Sequence, residues 1–468
     1  MIPVSLSWVA EQVQGKLLDA NQGQLTIAGV STDTRNIQRG DVFIALQGPN
    51  FDGHEFVQRA HESGASAAIV TKVLDIALPQ IVVDDTKLAL GLLAAAVKAE
   101  VAPLTVGITG SSGKTTVKEM VAAILSRRGK VLATKGNFNN DIGVPLTLLR
   151  LEHDHDFAVI EMGANHLGEI AYTTNLVKPD VATIVNAAAA HLEGFGSLLG
   201  VARAKSEIFK GLPGHGLAVL NADSQFYDFW KSKLRLTKIQ SFSLESSTDF
   251  YAEDTILGLD GCAQFDLVSP FGRVSVSLSL PGIHNVGNAL VAAALAMGVG
   301  ATLHDVAEGL RFMPHVAGRL QVKQLTNQVK ILDDTYNANV ASVHAAIDLL
   351  ASFAGRRVLV LGDMAELGEK SRYYHEQVGN YAKQKGIDQL YTLGVLSQSA
   401  SDVFASQGKH FSQLETLNDY MLSQLSGEQR DITILVKGSR SAKMERVVTA
   451  LEQSALGKFE RVRERIAC

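Results

Sequence analysis

The chain is poor in cysteine: two occur among 468 residues, Cys262 and Cys468, and neither belongs to a metal-ligand spacing or a disulfide framework. That excludes a disulfide-stapled scaffold and fits a reducing compartment, so a cytoplasmic setting is expected. An excess of basic charge is also missing. The 43 Lys and Arg stand against 48 Asp and Glu for a net charge of -5, which argues against nucleic acid as a partner. No apolar run approaches the roughly 18 residues that a membrane helix needs, so no membrane insertion is expected. The stretch Met1 to Gly15 carries Glu11 and no basic region followed by an apolar one, and so does not read as a signal peptide. Short-period repeats and low-complexity tracts are absent too.

What is present describes an α/β protein. A hydrophobic fraction of 46% with 41 glycines over this length gives ample core for about three domains. Residues 1–83 hold the strand candidates Asp41 to Leu46, Ala67 to Thr71 and Gln80 to Val83, with a helical stretch around Phe56 to Ser63. After a helix from Thr86 to Glu100, residues 84–314 alternate strand and helix as in a parallel doubly wound sheet, with continuous apolar runs at Phe157 to Ile160, Val181 to Val185 and Leu217 to Leu220. Alternating segments in 250–280, such as Val274 to Leu278, suggest appended antiparallel strands, and alanine-rich Asn285 to Met297 reads as a helix. A boundary is expected near Met313-Pro314. Residues 315–468 then alternate again, with strands at Val329 to Leu332, Val358 to Leu361, Gln389 to Thr392 and Ile432 to Val436.

The string T-G-S-S-G-K-T-T from Thr109 to Thr116 joins the apolar run Leu104 to Ile108 to a helix-like run in which Val117, Met120, Val121 and Ile124 recur at helical spacing. Strand, glycine loop and helix in that order form a nucleotide phosphate cradle. Gly110 and Gly113 let backbone approach phosphate oxygens, with Ser111 and Ser112 between them, and the helix that follows directs unpaired amides at the anion. Lys114 supplies a mobile cation, the Thr115 hydroxyl can ligate Mg²⁺, and Thr116 completes the string. The loop is a shortened variant, because Ile108 stands where the usual pattern has its first glycine.

Other groups are ambiguous on local grounds. Glu161 follows a strand and could hold Mg²⁺ or simply face solvent, and His191 lies beyond the next strand after an alanine run. Lys205 lies in the amphipathic stretch Ala202 to Ile208 and by composition reads as a surface lysine. The Glu152 to Asp156 stretch, E-H-D-H-D, reads as a polar loop rather than a metal site. Asp333 to Asn339 could be a helix cap. Lys437 to Arg440 could be a surface turn, or a pair of cations holding a carboxylate or phosphate.

Taken together these strings resemble the Mur ligase family over essentially the whole chain. The shortened phosphate loop matches, as do E-M-G-A-N-H-x-G-E-I at Glu161 to Ile170 and H-N-x-x-N-A at His284 to Ala289. D-D-T-Y-N-A-N at Asp333 to Asn339 and G-D-M-A-E-L-G at Gly362 to Gly368 resemble the member that joins UDP-N-acetylmuramoyl-tripeptide and D-alanyl-D-alanine. Val340 and Asp141 depart from the family pattern, where proline and glutamate are usual.

The resemblance implies three domains: a small amino-terminal α/β domain (1–83) that binds the UDP-sugar-peptide, a central doubly wound P-loop ATPase-type domain (84–314), and a carboxy-terminal Rossmann-like domain (315–468) that binds the dipeptide. It implies ATP-dependent amide formation through an acyl phosphate, in peptidoglycan synthesis, by a monomer using two Mg²⁺ ions. Lys114 and Thr115 would serve the ATP phosphates and the first Mg²⁺, Glu161 the metal and substrate, and His191 the second Mg²⁺. Lys205 matches the lysine that several members carbamylate into a metal ligand. Asn288 would contact adenine, Arg319 phosphate and Asp334 ribose. Ser31 and Arg35, within S-T-D-T-R, and Asn139 and Asn140, within G-N-F-N-N, would recognise the UDP-sugar-peptide, while Lys437, Ser439 and Arg440 would line the dipeptide site. Another ligase of the family, or a nucleotide-binding switch, is the alternative.

Overall fold

The computed structural model describes residues 1–189, 192–234, 237–313, 317–425 and 430–454. The fold is α/β, built on three large sheets in chain order. The first sheet contains β1 (Lys16–Leu17), β2 (Gly29–Ser31), β3 (Asp41–Ile44), β4 (Ala67–Val70) and β5 (Gln80–Val82), in the order β1-β5-β4-β3-β2. Only the β1/β5 pair is antiparallel. Strands β3 and β4 are buried throughout, as the apolar runs predicted. Helix α1 (Thr86–Val101) is capped by Asp85, whose carboxylate accepts from the amides of Lys87 and Leu88.

The central sheet has nine strands: β6 (Leu104–Thr109), β7 (Val131–Ala133), β8 (Phe157–Glu161), β9 (Val181–Ile184), β10 (Leu217–Asn221), β11 (Lys238–Ser243), β12 (Phe250–Leu257), β13 (Cys262–Ser269) and β14 (Gly272–Pro281). Their order is β7-β8-β6-β9-β10-β11-β12-β13-β14. The run from β7 to β12 is parallel, and β12, β13 and β14 pair antiparallel, as their alternating sequence suggested. Parallel strands need cover on both faces. Helix α2 (Lys114–Leu125) buries Val117, Met120, Val121 and Ile124 against one face. Beside it on the same face lies α5 (His284–Gly298), buried from Asn285 to Ala296; its alanines let the backbones approach closely. The other face carries α3 (Glu169–Val177) and α4 (Leu198–Ser206), within a core that is continuous with that of the first sheet.

The third sheet has the order β15-β16-β20-β17-β18-β19, with β15 (Gln321–Gln324), β16 (Val329–Asp334), β17 (Arg356–Gly362), β18 (Gln389–Leu393), β19 (Gly408–Phe411) and β20 (Ile432–Lys437). It is parallel except at the β15/β16 edge. Helix α6 (Val340–Ser352) follows β16 and covers one face of this sheet. Among the described residues no helix is long and apolar enough to cross a membrane. The expected boundary at Met313-Pro314 runs into residues 314–316, outside the described residues, as does Cys468.

Candidate active site

Strand β6 runs into the phosphate loop, and the loop's shape follows from its glycines. Gly113, the cap of α2, has φ +78, a left-handed conformation that side chains disfavour. A Cβ there would also lie 2.8 Å from Asn288 Oδ1. The loop is fastened by Asn186, just past β9. Its Oδ1 accepts from the amides of Ser111 at 3.1 Å and Ser112 at 2.9 Å, while its Nδ2 donates to the Ser112 carbonyl at 3.1 Å. Helix α2 then points its free amides and positive dipole end at the same space. Lys114 Nζ folds back to donate to the Gly110 carbonyl at 2.8 Å. Burial lowers its pKa, opposed by the carboxylate of Glu161.

The parallel register places Glu161 opposite Ile108, one residue before the loop begins. Glu161 is the last residue of β8 rather than past its end, and is 2% exposed. The Thr115 hydroxyl donates to its Oε2 at 2.9 Å, and Asn139 Nδ2 to its Oε1 at 2.8 Å. Arg319, from the segment before β15, donates through Nη2 to Thr115 Oγ1 at 3.1 Å and stacks 4.2 Å above the Tyr336 ring.

Lys205 corrects the surface reading that composition favoured. It lies near the carboxy-terminal end of α4 and is 2% exposed. Its ammonium is held well below its usual pKa, first by burial and then by the nearby charge of Lys114. Two lysines 91 positions apart are thus brought near each other, and Glu161 lies near Lys114. His191 lies outside the described residues.

A cavity of about 230 Å³ opens beside the loop, between the central and third sheets. Ser112, Gly113, Asn288, Arg319, Asp334 and Lys437 all line it, which brings predicted residues from both sides together. Asn288 donates to Asn285 Oδ1 at 2.9 Å. Lys437 is the buried last residue of β20, not part of a surface turn. Its Nζ donates to Asp334 Oδ2 at 2.5 Å and to the Asn337 carbonyl at 2.9 Å. His284 also faces the cavity, and burial pulls its pKa down to about 4. Sequence reasoning passed over His284 and Asn186 as site residues. His284 opens the H-N-x-x-N-A string, whereas a lone asparagine before an alanine run gives no signal.

Five predicted residues lie away from the cavity lining, Ser31 among them as the last residue of β2. Ser31 Oγ donates to the Asp33 carbonyl at 2.9 Å, and Arg35, 78% exposed, pairs with Asp33 at 2.6 Å. Ser439 bonds through its amide to the Asp363 carbonyl at 2.9 Å, and Arg440, 64% exposed, pairs with Glu445 at 3.2 Å. Asn140 accepts from the Gly143 amide at 2.8 Å, one residue past the Glu161-bound Asn139. In the E-H-D-H-D stretch Glu152, Asp154 and His155 do converge, but Lys130 Nζ donates to Glu152 at 2.6 Å and to Asp154 at 2.8 Å, so a protein cation already sits between the two carboxylates.

Comparison with known proteins agrees along the chain. Residues 26–103 match the Mur ligase family catalytic domain, 108–296 the Mur ligase middle domain, and 318–440 the Mur ligase glutamate ligase domain. The UDP-N-acetylmuramoyl-tripeptide–D-alanyl-D-alanine ligase of Escherichia coli strain K12 is 50% identical over 454 residues, covering 97% of this chain and 99% of that one. Its counterpart in Haemophilus influenzae is 45% identical over 460 residues, with 97% and 99% covered. A crystal structure of MurF from Acinetobacter baumannii superposes with a TM-score of 0.92 at 36% identity, covering 97% of this chain and 99% of that one. The MurF ligase of Thermotoga maritima in complex with ADP gives 0.82 at 28% identity, with 92% and 98% covered. The chain belongs to the Mur ligase family.

Proposed function

We propose that the chain is an ATP-dependent ligase that joins D-alanyl-D-alanine to UDP-N-acetylmuramoyl-tripeptide, producing the pentapeptide precursor of peptidoglycan. The observation that carries this reading is the likeness to ligases of that activity at up to 50% identity over 97% of the chain, together with the buried meeting of Lys114, Thr115, Glu161 and Arg319.

The reaction brings two anions together, since the tripeptide carboxylate attacks the γ-phosphate of ATP to form an acyl phosphate. The dipeptide amine then displaces phosphate. Lys114 and Arg319 offset the repulsion and stabilise charge on the transferring phosphoryl group. The loop amides and the start of α2 hold the β- and γ-phosphates. Asn288 and Asp334 orient adenine and ribose, with Lys437 fixing the Asp334 carboxylate. Ser31, Arg35, Asn139 and Asn140 recognise the UDP-sugar-peptide, and Ser439 and Arg440 the dipeptide.

The oxygen pair of Thr115 Oγ1 and Glu161 Oε2, 2.9 Å apart, suits a hard cation. Thr115, Glu161, His191 and a carbamylated Lys205 would hold two Mg²⁺ ions. When bound, Mg²⁺ neutralises phosphate charge and polarises the transferred group. A buried amine with a depressed pKa is the species that reacts with carbon dioxide, so Lys205 fits that role.

We assign residues 1–83 to the UDP-sugar-peptide, 84–314 to ATP and 315–468 to the dipeptide, with the third unit closing over the acyl phosphate to exclude water. A monomer acting in the cytoplasm completes the reading. The test is an assay with ATP, D-alanyl-D-alanine and tripeptides ending in diaminopimelate or lysine, read by product mass. Pentapeptide with ADP and phosphate is expected. A phosphorylated tripeptide, or ATP hydrolysis that ignores the tripeptide, would overturn it.

A further inference from the structure

Two asparagine side chains hold one peptide group of the phosphate loop by its two edges. The group joins Ser111 to Ser112, so it owns the Ser111 carbonyl and the Ser112 amide. Asn186 Oδ1 takes the Ser112 amide at 2.9 Å. Asn339 Nδ2 donates to the Ser111 carbonyl at 3.2 Å. The two partners come from different units, Asn186 from the end of β9 and Asn339 from the start of α6 beside the third sheet. Because a peptide group is planar, rotating it breaks both contacts at once.

Asn339 has a second task that isolates the first. It is the cap of α6, where its Oδ1 accepts from the Ser342 amide at 2.9 Å and its own amide donates to Ser342 Oγ at 3.0 Å. A cap needs only an acceptor, and serine, threonine or aspartate would serve as well. Asparagine adds a donor on the same side chain, and here the donor crosses to the loop. We propose that Asn339 is a positioning residue of the ligase reaction: its Nδ2 ties the Ser111–Ser112 peptide to the third unit. The loop therefore reaches its working geometry only when that unit is docked. Arg319 crosses from the same unit to Thr115 at the other end of the loop, so the loop is held at both ends. Asn339 touches no reacting atom and acts through the loop backbone.

This rests on the ligase reading, and its test separates the two. Asn339→Ser keeps the cap and loses the reach, while Asn339→Ala loses both. Hydrogen exchange by mass spectrometry, on a peptide spanning 109–118 and another spanning 340–352, is combined with turnover at saturating substrates. For Asn339→Ser the expected result is a wild-type thermal midpoint and unchanged exchange across 340–352. Exchange across 109–118 should rise and kcat fall, each by roughly threefold to tenfold, as the loss of one hydrogen bond implies. The KM for tripeptide should stay within about twofold. Wild-type loop exchange and kcat in Asn339→Ser would overturn the proposal, and so would losses matched by faster exchange across 340–352. If the wild type forms no amide, the ligase reading fails, and the loop-exchange comparison still decides whether Asn339 is the tie.

Discussion

Replacing Gly113 with alanine perturbs the phosphate loop at the point where backbone and ligand contacts are tightest. The position has φ +78, which costs an L-residue with a Cβ about 1–2 kcal/mol. The new Cβ would also sit 2.8 Å from Asn288 Oδ1 and 3.3 Å from a Val185 methyl. Real Cβ atoms do not tolerate the first of these, so Asn288 must move. That breaks its 2.9 Å bond to Asn285, a further loss of about 0.5–1.5 kcal/mol. The total is about 2–3 kcal/mol, divided between folding and nucleotide binding according to whether the loop holds or yields. If all of it falls on binding, ATP affinity drops roughly thirtyfold to two hundredfold. Calorimetric titration with a non-hydrolysable ATP analogue, alongside thermal unfolding, measures both shares. A variant whose combined loss stays under about 0.5 kcal/mol would refute the assignment of the loop and of Asn288 beside it.

Lys114→Met should lower ligation by roughly 10²- to 10³-fold with little change in thermal midpoint, as the loss of a donor to the transferring phosphoryl group implies; full ligation would remove Lys114 from the phosphate site. Lys205→Ala should cripple turnover, and an added short-chain carboxylic acid should restore part of it; normal turnover without the additive would take Lys205 out of the site. The ring of His284 titrates near pH 4 when folded, against about 6.5 when free. Between those values the unfolded chain holds the extra proton, so stability is complete above about pH 6.5 and is lost as pH falls toward 4. Allowing for the part of His284 that faces the cavity, the loss from pH 7.5 to 5 is about 1–2 kcal/mol. Urea unfolding at the two pH values should show that difference shrinking in His284→Gln; an unchanged difference would refute the burial argument.

The phosphate loop was legible because its information is local: an apolar run, two glycines, a lysine and a helical repeat are all contained in residues 104–124. The doubly wound order was legible for the same reason, since parallel strands covered on both faces leave continuous apolar runs. Residues joined across the chain were not. Thr115 and Glu161 are 46 positions apart and meet only because β6 and β8 pair with Ile108 opposite Glu161. Lys205 looks solvated by composition, and only the packing of α4 under the sheet buries it. Strands β11 and β15 lack a continuous apolar run: K-I-Q-S-F-S and Q-V-K-Q mix polar residues into the strand.

The charges around the loop show why these groups stay near one another without an ordinary set of ion pairs. Lys114 lies near both the Glu161 carboxylate and Arg319, and Lys205 near Lys114; both lysines have depressed pKa values, first because burial opposes their charge and then because Arg319 repels Lys114 and Lys114 repels Lys205. By contrast Lys118, buried on the same helix as Lys114, donates to the Thr134 carbonyl at 2.6 Å and pairs with Glu119 at 2.5 Å. Lys437 is likewise matched by Asp334. Lys114, Lys205 and Arg319 thus put a surplus of cations close to the phosphate loop. Adding a carboxylate there would be expected to stabilise the fold and weaken the grip on a triphosphate. Ser112→Asp, which lines the cavity beside Gly113, puts that to the test: the thermal midpoint should rise or hold while ATP affinity falls by at least tenfold, and a variant that binds ATP as well as the wild type would show that the cation surplus does not serve the nucleotide.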